Sequence, residues 1–437
     1  MDGTIPATTR GRYAASEAWL ARAEAVIPLG SQTFSKSRTA LPVGMAPLFI
    51  ERGRGSHVWD LDGNEYVDFV NGLLAISLGY GDPDVDRAVR AQLERGVTFS
   101  LPHPIEAEVA ELIVEAVPCA ELVRFGKNGS DATAGAIRIA RAATGRDRVA
   151  VCGYHGWQDW YIGSTTRDLG VPAATKALTH QFDYNDIASL DALFRAHPGE
   201  FAAVILEPMN VAWPRDGFLE EVAAATRAHG ALLIFDETIT GFRFAMGGAQ
   251  ELFGVTPDLA TFGKGVANGY PLSIVAGRRA PMRLMEEVFF SFTFGGEALS
   301  LAAAKAVIGK LRREPVVDTI HRQGQKVLDG VTERIAACGV EAFCAISGHP
   351  AWSFFQIRDA APYGAYELRT LYLQEMFARG ILTTGTHNMS YAHTDADIGA
   401  LLAAYDEVLP ILAVAVEHGD LRQRLHGEPL RPLFKVR

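Results

Sequence analysis

The chain has 437 residues, 48% of them apolar, with 43 glycines and a formal charge of -10. That length can build a large domain with a smaller companion, and that apolar share belongs to a compact globular protein. The acidic balance and the lack of any basic run exclude a general nucleic-acid binder, because phosphate neutralisation needs clustered Lys and Arg. Cys119, Cys152, Cys338 and Cys344 are scattered without a C-x-x-C pair and read as reduced thiols. The polar start, Met1 to Arg12, lacks a signal-peptide core, and no charge-free apolar stretch approaches about eighteen residues. A soluble, cytoplasmic protein with no membrane span is the expectation.

Residues 14–27 have the pattern of an amphipathic helix, stopped by Pro28-Leu29-Gly30. Val58 to Phe69 reads as a hairpin, with Asp62-Gly63-Asn64 as the turn between alternating runs. Short apolar strands follow at Val149–Cys152, Ala202–Leu206, Leu232–Asp236 and Leu272–Ala276. Between them come helices such as Val85–Arg95, stopped by Gly96, and Leu219–His229, stopped by Gly230. Strands alternating with helices predict a mainly parallel sheet covered on both faces. After about residue 312 the pattern changes to a long helix, Val316 to Ala337, a strand at Ala351–Ile357, a helix at Ala365–Arg379 and a short strand at Ile381-Leu382. A last long helix starts at Thr394, with Asp395 and Asp397 at the positive end of its dipole. The expected division is an N-terminal segment 1–70, a large α/β domain 71–312 and a smaller α+β domain 313–437, the first packing with the third.

Two places carry chemistry. Lys127-Asn128-Gly129-Ser130-Asp131-Ala132-Thr133 opens a helix with the free N–H groups and hydroxyls that a phosphate needs, although an ordinary N-cap has the same look. The apolar run Ala231 to Phe235 ends in Asp236-Glu237, and Lys264 follows between Gly263 and Gly265. A strand-end acid and a glycine-flanked lysine suit pyridoxal phosphate, which takes a lysine as Schiff base and an acid at its ring nitrogen. A loop lysine at the surface is the plain alternative. Phe262-Gly263-Lys264-Gly265 is not a nucleotide P-loop, since Asp258 stands where that motif has glycine and Gly265 where it has a hydroxyl. No G-x-G-x-x-G follows a strand, which disfavours a dinucleotide enzyme. The histidines have no zinc-ligand spacing, so no metal is expected.

Phe235-Asp236-Glu237-Thr238-Ile239-Thr240-Gly241-Phe242-Arg243, then Gly247-Gly248-Ala249-Gln250 and Gly254-Val255-Thr256-Pro257-Asp258-Leu259, resemble the class III pyridoxal-phosphate-dependent aminotransferases. The likeness is greatest to the branch of glutamate-1-semialdehyde aminomutase and runs from about Pro28 to the C-terminal helix. It implies fold type I, with a seven-stranded sheet, and a homodimer with shared active sites. Lys264 is then the Schiff-base lysine and proton carrier, and Asp236 the partner of the ring nitrogen. Gly129 and Ser130 bind the phosphate, Tyr154 stacks on the ring, His155 gives a supporting hydrogen bond and Glu207 approaches the ring hydroxyl. Thr238 covers the second ring face, and Thr293 reaches the phosphate bound in the partner subunit.

The chain departs from that pattern at Gly296-Glu297-Ala298, where Gly-Asn-Pro is usual. It has Lys36 where the aminomutase has an arginine that grips a carboxylate, and Leu73 where it has a tryptophan. A lysine cannot form the planar two-pronged fork of arginine. These changes turn the expectation to net transamination, from an amino acid such as L-glutamate to a keto-sugar or cyclitol carbonyl. Gln32, Thr33, Lys36 and Glu297 are the expected substrate-facing residues. The aminomutase reaction is the alternative, and a non-catalytic binding protein of the same fold a remote one.

Overall fold

Seven strands form the sheet that carries the site, in the spatial order Leu122–Gly126, Ser273–Gly277, Leu259–Phe262, Leu232–Asp236, Phe201–Leu206, Arg148–Cys152 and Thr179–Gln181. The last five are mutually parallel, and Ser273–Gly277 is antiparallel to both its neighbours. The reversal follows from chain length. Residues 263–272 are too few for the helical crossover of about a dozen residues or more that a parallel neighbour requires.

Strand side chains alternate between faces, and two cores result. Val149, Val151, Ala203, Ile205 and Ile234 pack with Ala132, Ala136, Ile137 and Ala140 of the helix Gly129–Thr144. The intervening Ala150, Val204, Leu206, Leu233 and Phe235 pack with Leu190, Phe194, Phe218 and Val222 of the helices on the other face. Asp236 continues the parity of Ile234 and so belongs to the face of the helix Gly129–Thr144.

In this computed structural model, which describes residues 11–431, the sheet belongs to one of two units. That unit holds 72–78 and 82–319; the other holds 11–71, 79–81 and 320–431. In the latter, Glu65–Asp68 pairs with His57–Asp60 and, in parallel, with Ile381–Leu382. The Asp60 carboxylate fixes the predicted hairpin turn by accepting from the N–H groups of Asp62 and Asn64, and Tyr66 donates its hydroxyl at 2.9 Å. A second sheet there joins Cys344–His349, Trp352–Ile357 and Thr386–Asn388.

Asp395–His418 is the one helix among the described residues long and apolar enough to cross a membrane. Its buried side chains Ile398, Leu401, Tyr405, Val408, Leu412 and Ala415 lie at the three-and-four spacing of a helix packed on a core. One segment was not foreseen. Asn71, Gly72, Leu73 and Leu74 all have left-handed backbones, with φ of 47°, 57°, 60° and 71°. Two leucines in that region are strongly disfavoured and mark a constrained site.

Candidate active site

Every predicted cofactor residue on the sheet lies at or just beyond the carboxyl end of a parallel strand or at the start of the helix Gly129–Thr144, where open α/β sheets bind ligands. Asp236 is the last residue of its strand and almost fully buried. Its Oδ1 accepts the Thr238 N–H at 3.1 Å and the hydroxyls of Thr238 and Thr261 at 2.5 and 3.1 Å. Its Oδ2 stands 2.9 Å from His155 Nδ1. Burial works against ionisation, but His155 and the donors of Thr238 outweigh it and hold the carboxyl below its ordinary pKa.

Glu207 follows the next strand and behaves in the opposite way. Burial, then the charge of Asp236, pushes its pKa up, although it accepts the Tyr154 N–H at 3.0 Å and the Asn210 amide at 2.8 Å. Two neighbouring acids are thus driven apart, Asp236 toward the anion and Glu207 toward the neutral acid. Gly153 makes this approach possible: its φ is 104°, and a Cβ there would lie 2.5 Å from Glu207 Oε2.

Lys264 has φ 45° and opens the short turn Lys264–Ala267 just beyond the strand Leu259–Phe262. Burial lowers the pKa of its amine, Asp236 and Glu207 oppose that shift, and Arg243 reinforces it. Such an amine is closer to the neutral nucleophile than an ordinary lysine.

At the phosphate loop, Asp131 Oδ2 accepts the N–H groups of Lys127 and Asn128 at 3.2 and 2.8 Å and so shapes the turn before Gly129. The Ser130 hydroxyl meets the Trp157 N–H at 3.3 Å, an approach that depends on Gly156, whose Cβ would lie 2.3 Å from that oxygen. Thr133 donates to the His155 carbonyl at 2.9 Å and ties this helix to the His155–Asp236 pair. The Thr238 methyl lies beside both Gly129 and Gly263, between the phosphate loop and the lysine turn. Tyr154 is 48% exposed, with one edge against Tyr161, which leaves ring surface open for stacking. The helix start, the held carboxylate and the lysine match the three ends of pyridoxal phosphate, so the residues fit it. Among the described residues no cluster of His, Cys, Asp or Glu suited to a metal is found.

The remaining expected residues are placed otherwise. Thr293 is exposed on the turn before the helix Ala298–Arg313, among the exposed Phe289, Phe292 and Phe294. Glu297 stands at the N-cap of the same helix. Its carboxylate caps that helix, taking the Leu299 N–H at 2.7 Å and the Ser300 hydroxyl at 2.6 Å, and pairs with Lys127 at 2.9 Å. Those partners engage the carboxylate within the chain. Gln32, Thr33 and Lys36 belong to the other unit, around the turn Phe34–Lys36, with Gln32 and Lys36 exposed.

Sequence reading missed Thr261, Asn210, Thr133 and Arg243. Thr261 could have been found by parity with Leu259, and Asn210 by its spacing from Glu207; Thr133 and Arg243 close two of the motifs quoted from the sequence, where no role of their own was drawn from them.

This fold and this site define a pyridoxal-phosphate enzyme of fold type I. Residues 39–348 match the family described as aminotransferase class-III, and the chain belongs to that family. It is 36% identical over 433 residues to a glutamate-1-semialdehyde 2,1-aminomutase of Roseiflexus castenholzii, covering 92% of this chain and 99% of that one. It is 34% identical over 410 residues to a 3-aminobutyryl-CoA aminotransferase of Cloacimonas acidaminovorans, covering 91% and 97%. Among solved structures, the PLP internal aldimine form of the Sphingopyxis sp. MTA144 FumI protein superposes with a TM-score of 0.85 at 29% identity, over 95% of this chain and 98% of that one. An omega-transaminase of Sphaerobacter thermophilus gives 0.84 at 29% identity, over 92% and 100%.

Proposed function

We propose that the chain catalyses net transamination, from an amino acid donor such as L-glutamate to a polyhydroxylated ketone or aldehyde, a keto-sugar or cyclitol. The observation that carries the chemistry is the pairing of a multiply hydrogen-bonded Asp236, held below its ordinary pKa, with a buried lysine whose ammonium form burial disfavours. Pyridoxal phosphate, when bound, supplies the carbonyl that exchanges amino groups and a ring that takes up electrons from the carbon losing its proton. Asp236 holds a proton at the ring nitrogen, and His155 fixes the carboxylate for that task. The Lys264 amine moves the proton on and off substrate carbon. Gly129 and Ser130 bind the phosphate at the positive end of their helix. Tyr154 stacks on the ring, Thr238 borders it on the other side, and Glu207 approaches the ring hydroxyl.

Thr293 serves the site of a second copy, so the active species we propose is a homodimer. Its exposure among three exposed phenylalanines supports this reading. The acceptor class rests on Lys36 and Leu73 in place of the aminomutase's arginine and tryptophan, with Gln32 and Thr33 as the polar neighbours of Lys36.

The decisive mixture is the holoprotein with L-glutamate. Loss of the visible band with release of 2-oxoglutarate is expected, followed by recovery of the band with a keto-sugar or cyclitol ketone. The likeness to the Roseiflexus enzyme favours the aminomutase as second reading. No half-reaction with any common amino acid, together with turnover of glutamate-1-semialdehyde, would establish it. A 3-oxo thioester belongs in the acceptor panel because of the Cloacimonas relative, and band recovery with it alone would replace the sugar assignment.

A further inference from the structure

Eight non-glycine residues have left-handed backbones among the described residues, and five of them lie in segments of one unit that meet at the lysine turn: Leu73, Leu74, Phe242, Lys264 and Asn268. Strain of this kind survives only where surrounding bonds over-determine it. Here those bonds are explicit. The Asn268 side chain accepts the N–H groups of Ser77 and Leu78 at 3.0 and 2.9 Å, and the Ser77 hydroxyl donates to the Gly265 carbonyl at 2.8 Å. Arg243, next to the strained Phe242, is 2% exposed and donates from Nη2 to the Leu74 carbonyl at 3.1 Å. The same nitrogen lies 3.5 Å from where a Cβ on Gly265 would stand.

We propose that Arg243 is a positioning residue for Lys264: anchored on the Leu74 carbonyl and in contact with Gly265, its guanidinium holds the strained turn and sets a positive charge behind the lysine. The proposal rests on the reading of Lys264 as the cofactor lysine. A fixed cation beside an amine disfavours the ammonium form. The groups that act electrostatically on the Lys264 amine are Asp236 and Glu207, which favour its charge, and Arg243, which opposes it. Arg243 thereby offsets the two acids that the ring requires. A neutral Lys264 amine is the form that attacks a carbonyl.

The test is competitive acetylation of the cofactor-stripped, full-length chain across pH, with Lys264 followed by peptide mass. Arg243→Gln keeps a donor for Leu74 and loses the charge. Its Lys264 midpoint is expected to rise by about one pH unit, a tenfold loss of neutral amine at fixed pH. Arg243→Lys keeps a cation only while its own buried amine stays protonated, and its Lys264 midpoint is expected between those of wild type and Arg243→Gln. An unmoved or lowered midpoint in Arg243→Gln overturns the proposal. Should Arg243→Gln fail to fold, Arg243→Met serves as the neutral variant. If neither folds, Arg243→Lys alone decides, and a Lys264 midpoint below that of wild type overturns the proposal. Borohydride reduction of wild-type holoprotein, with the cofactor mapped by peptide, stands apart from these results. Label missing from Lys264 there defeats the functional reading itself, whatever Arg243 does.

Discussion

At the scale of single residues, the site works by setting similar groups in unlike surroundings. Asp236 has three hydroxyl or amide donors and a histidine; Glu207, one strand away, has two donors and the repulsion of Asp236. Asp236→Asn removes the anion at the ring nitrogen and also strips His155 of its buried partner. A buried polar group left without its partner costs about 1–3 kcal/mol, so thermal unfolding should fall below wild type and the visible band should weaken. A variant with unchanged melting and spectrum would remove Asp236 from this role. Lys264→Ala, by contrast, cuts the amine off a half-buried turn. Turnover should drop by about 10²–10⁴-fold or more while phosphate-directed binding persists, measurable by equilibrium dialysis of the cofactor. Binding lost together with turnover would mean that the lysine, not the phosphate loop, supplies most of the affinity.

Elements hold these residues through caps and close backbone approaches. The helix Ala298–Arg313 starts from Glu297, whose carboxylate also reaches Lys127 beside the phosphate loop. Glu297→Ala loses both, and an N-cap alone is worth about 1 kcal/mol. A fall of several degrees in melting temperature is expected, partly restored by Glu297→Asp, which can still cap. If the alanine variant melts like wild type but loses acceptor selectivity, the residue faces substrate after all. Glu237 makes a comparable anchor: fully buried, it accepts from the N–H groups of Ala249 and Gln250 at 2.7 and 2.9 Å. Gly248 (φ 84°) lies so close that a Cβ would stand 2.5 Å from the Glu237 oxygen. Gly248→Ala should therefore destabilise by a few kcal/mol, roughly the sum of a disfavoured backbone and a displaced carboxylate; an urea midpoint equal to wild type would contradict that packing.

Element by element, what could be read from sequence was what local chemistry repeats. The hairpin at Asp62-Gly63-Asn64, the strand ending in Asp236 and the helix opening at Gly129 each have a turn or cap signature next to an apolar run. The strands Leu122–Gly126 and Thr179–Gln181 were not separated out, because one carries Arg124 and the other has only three residues. Arg243 reads locally as a surface cation after a turn, and only its distant partner, the Leu74 carbonyl, explains its burial. The pairing of Glu297 is hidden for a related reason: an acid at a helix start can cap as readily as it can meet a ligand, and its partner Lys127 lies far along the chain.

In the whole molecule, two buried histidines add a pH sensitivity of their own, apart from the reacting groups. In the unit that holds residues 320–431, His387 is enclosed by Ser353 and Tyr405, and His393 stacks on Phe69. Burial drives their pKa down to about 3 and about 4. The folded rings are neutral, whereas unfolded histidine takes a proton near pH 6.5. Their contribution is thus complete above about pH 6.5 and is lost as the pH falls toward 4, at roughly 1 kcal/mol per pH unit from each ring. Urea midpoints taken between pH 7 and pH 4.5 should decline through that window, and a flat profile would show that these rings stay neutral on unfolding or remain hydrated in the fold.

The strand order has a kinetic consequence. Glu207, Asp236 and Lys264 come from three adjacent parallel strands, each separated in sequence from the next by a helix or a long loop. No two of them can meet until those strands have docked in register, and pairings between parallel strands form late because long loops must close first. A growing or refolding chain therefore has no partial version of this pocket to offer. Capture of the cofactor should report the finished sheet, with visible absorbance returning after helical ellipticity during refolding. Cofactor present from the start should leave the early phase unchanged and slow only the reverse reaction, because it stabilises a state that exists solely after the rate-limiting docking.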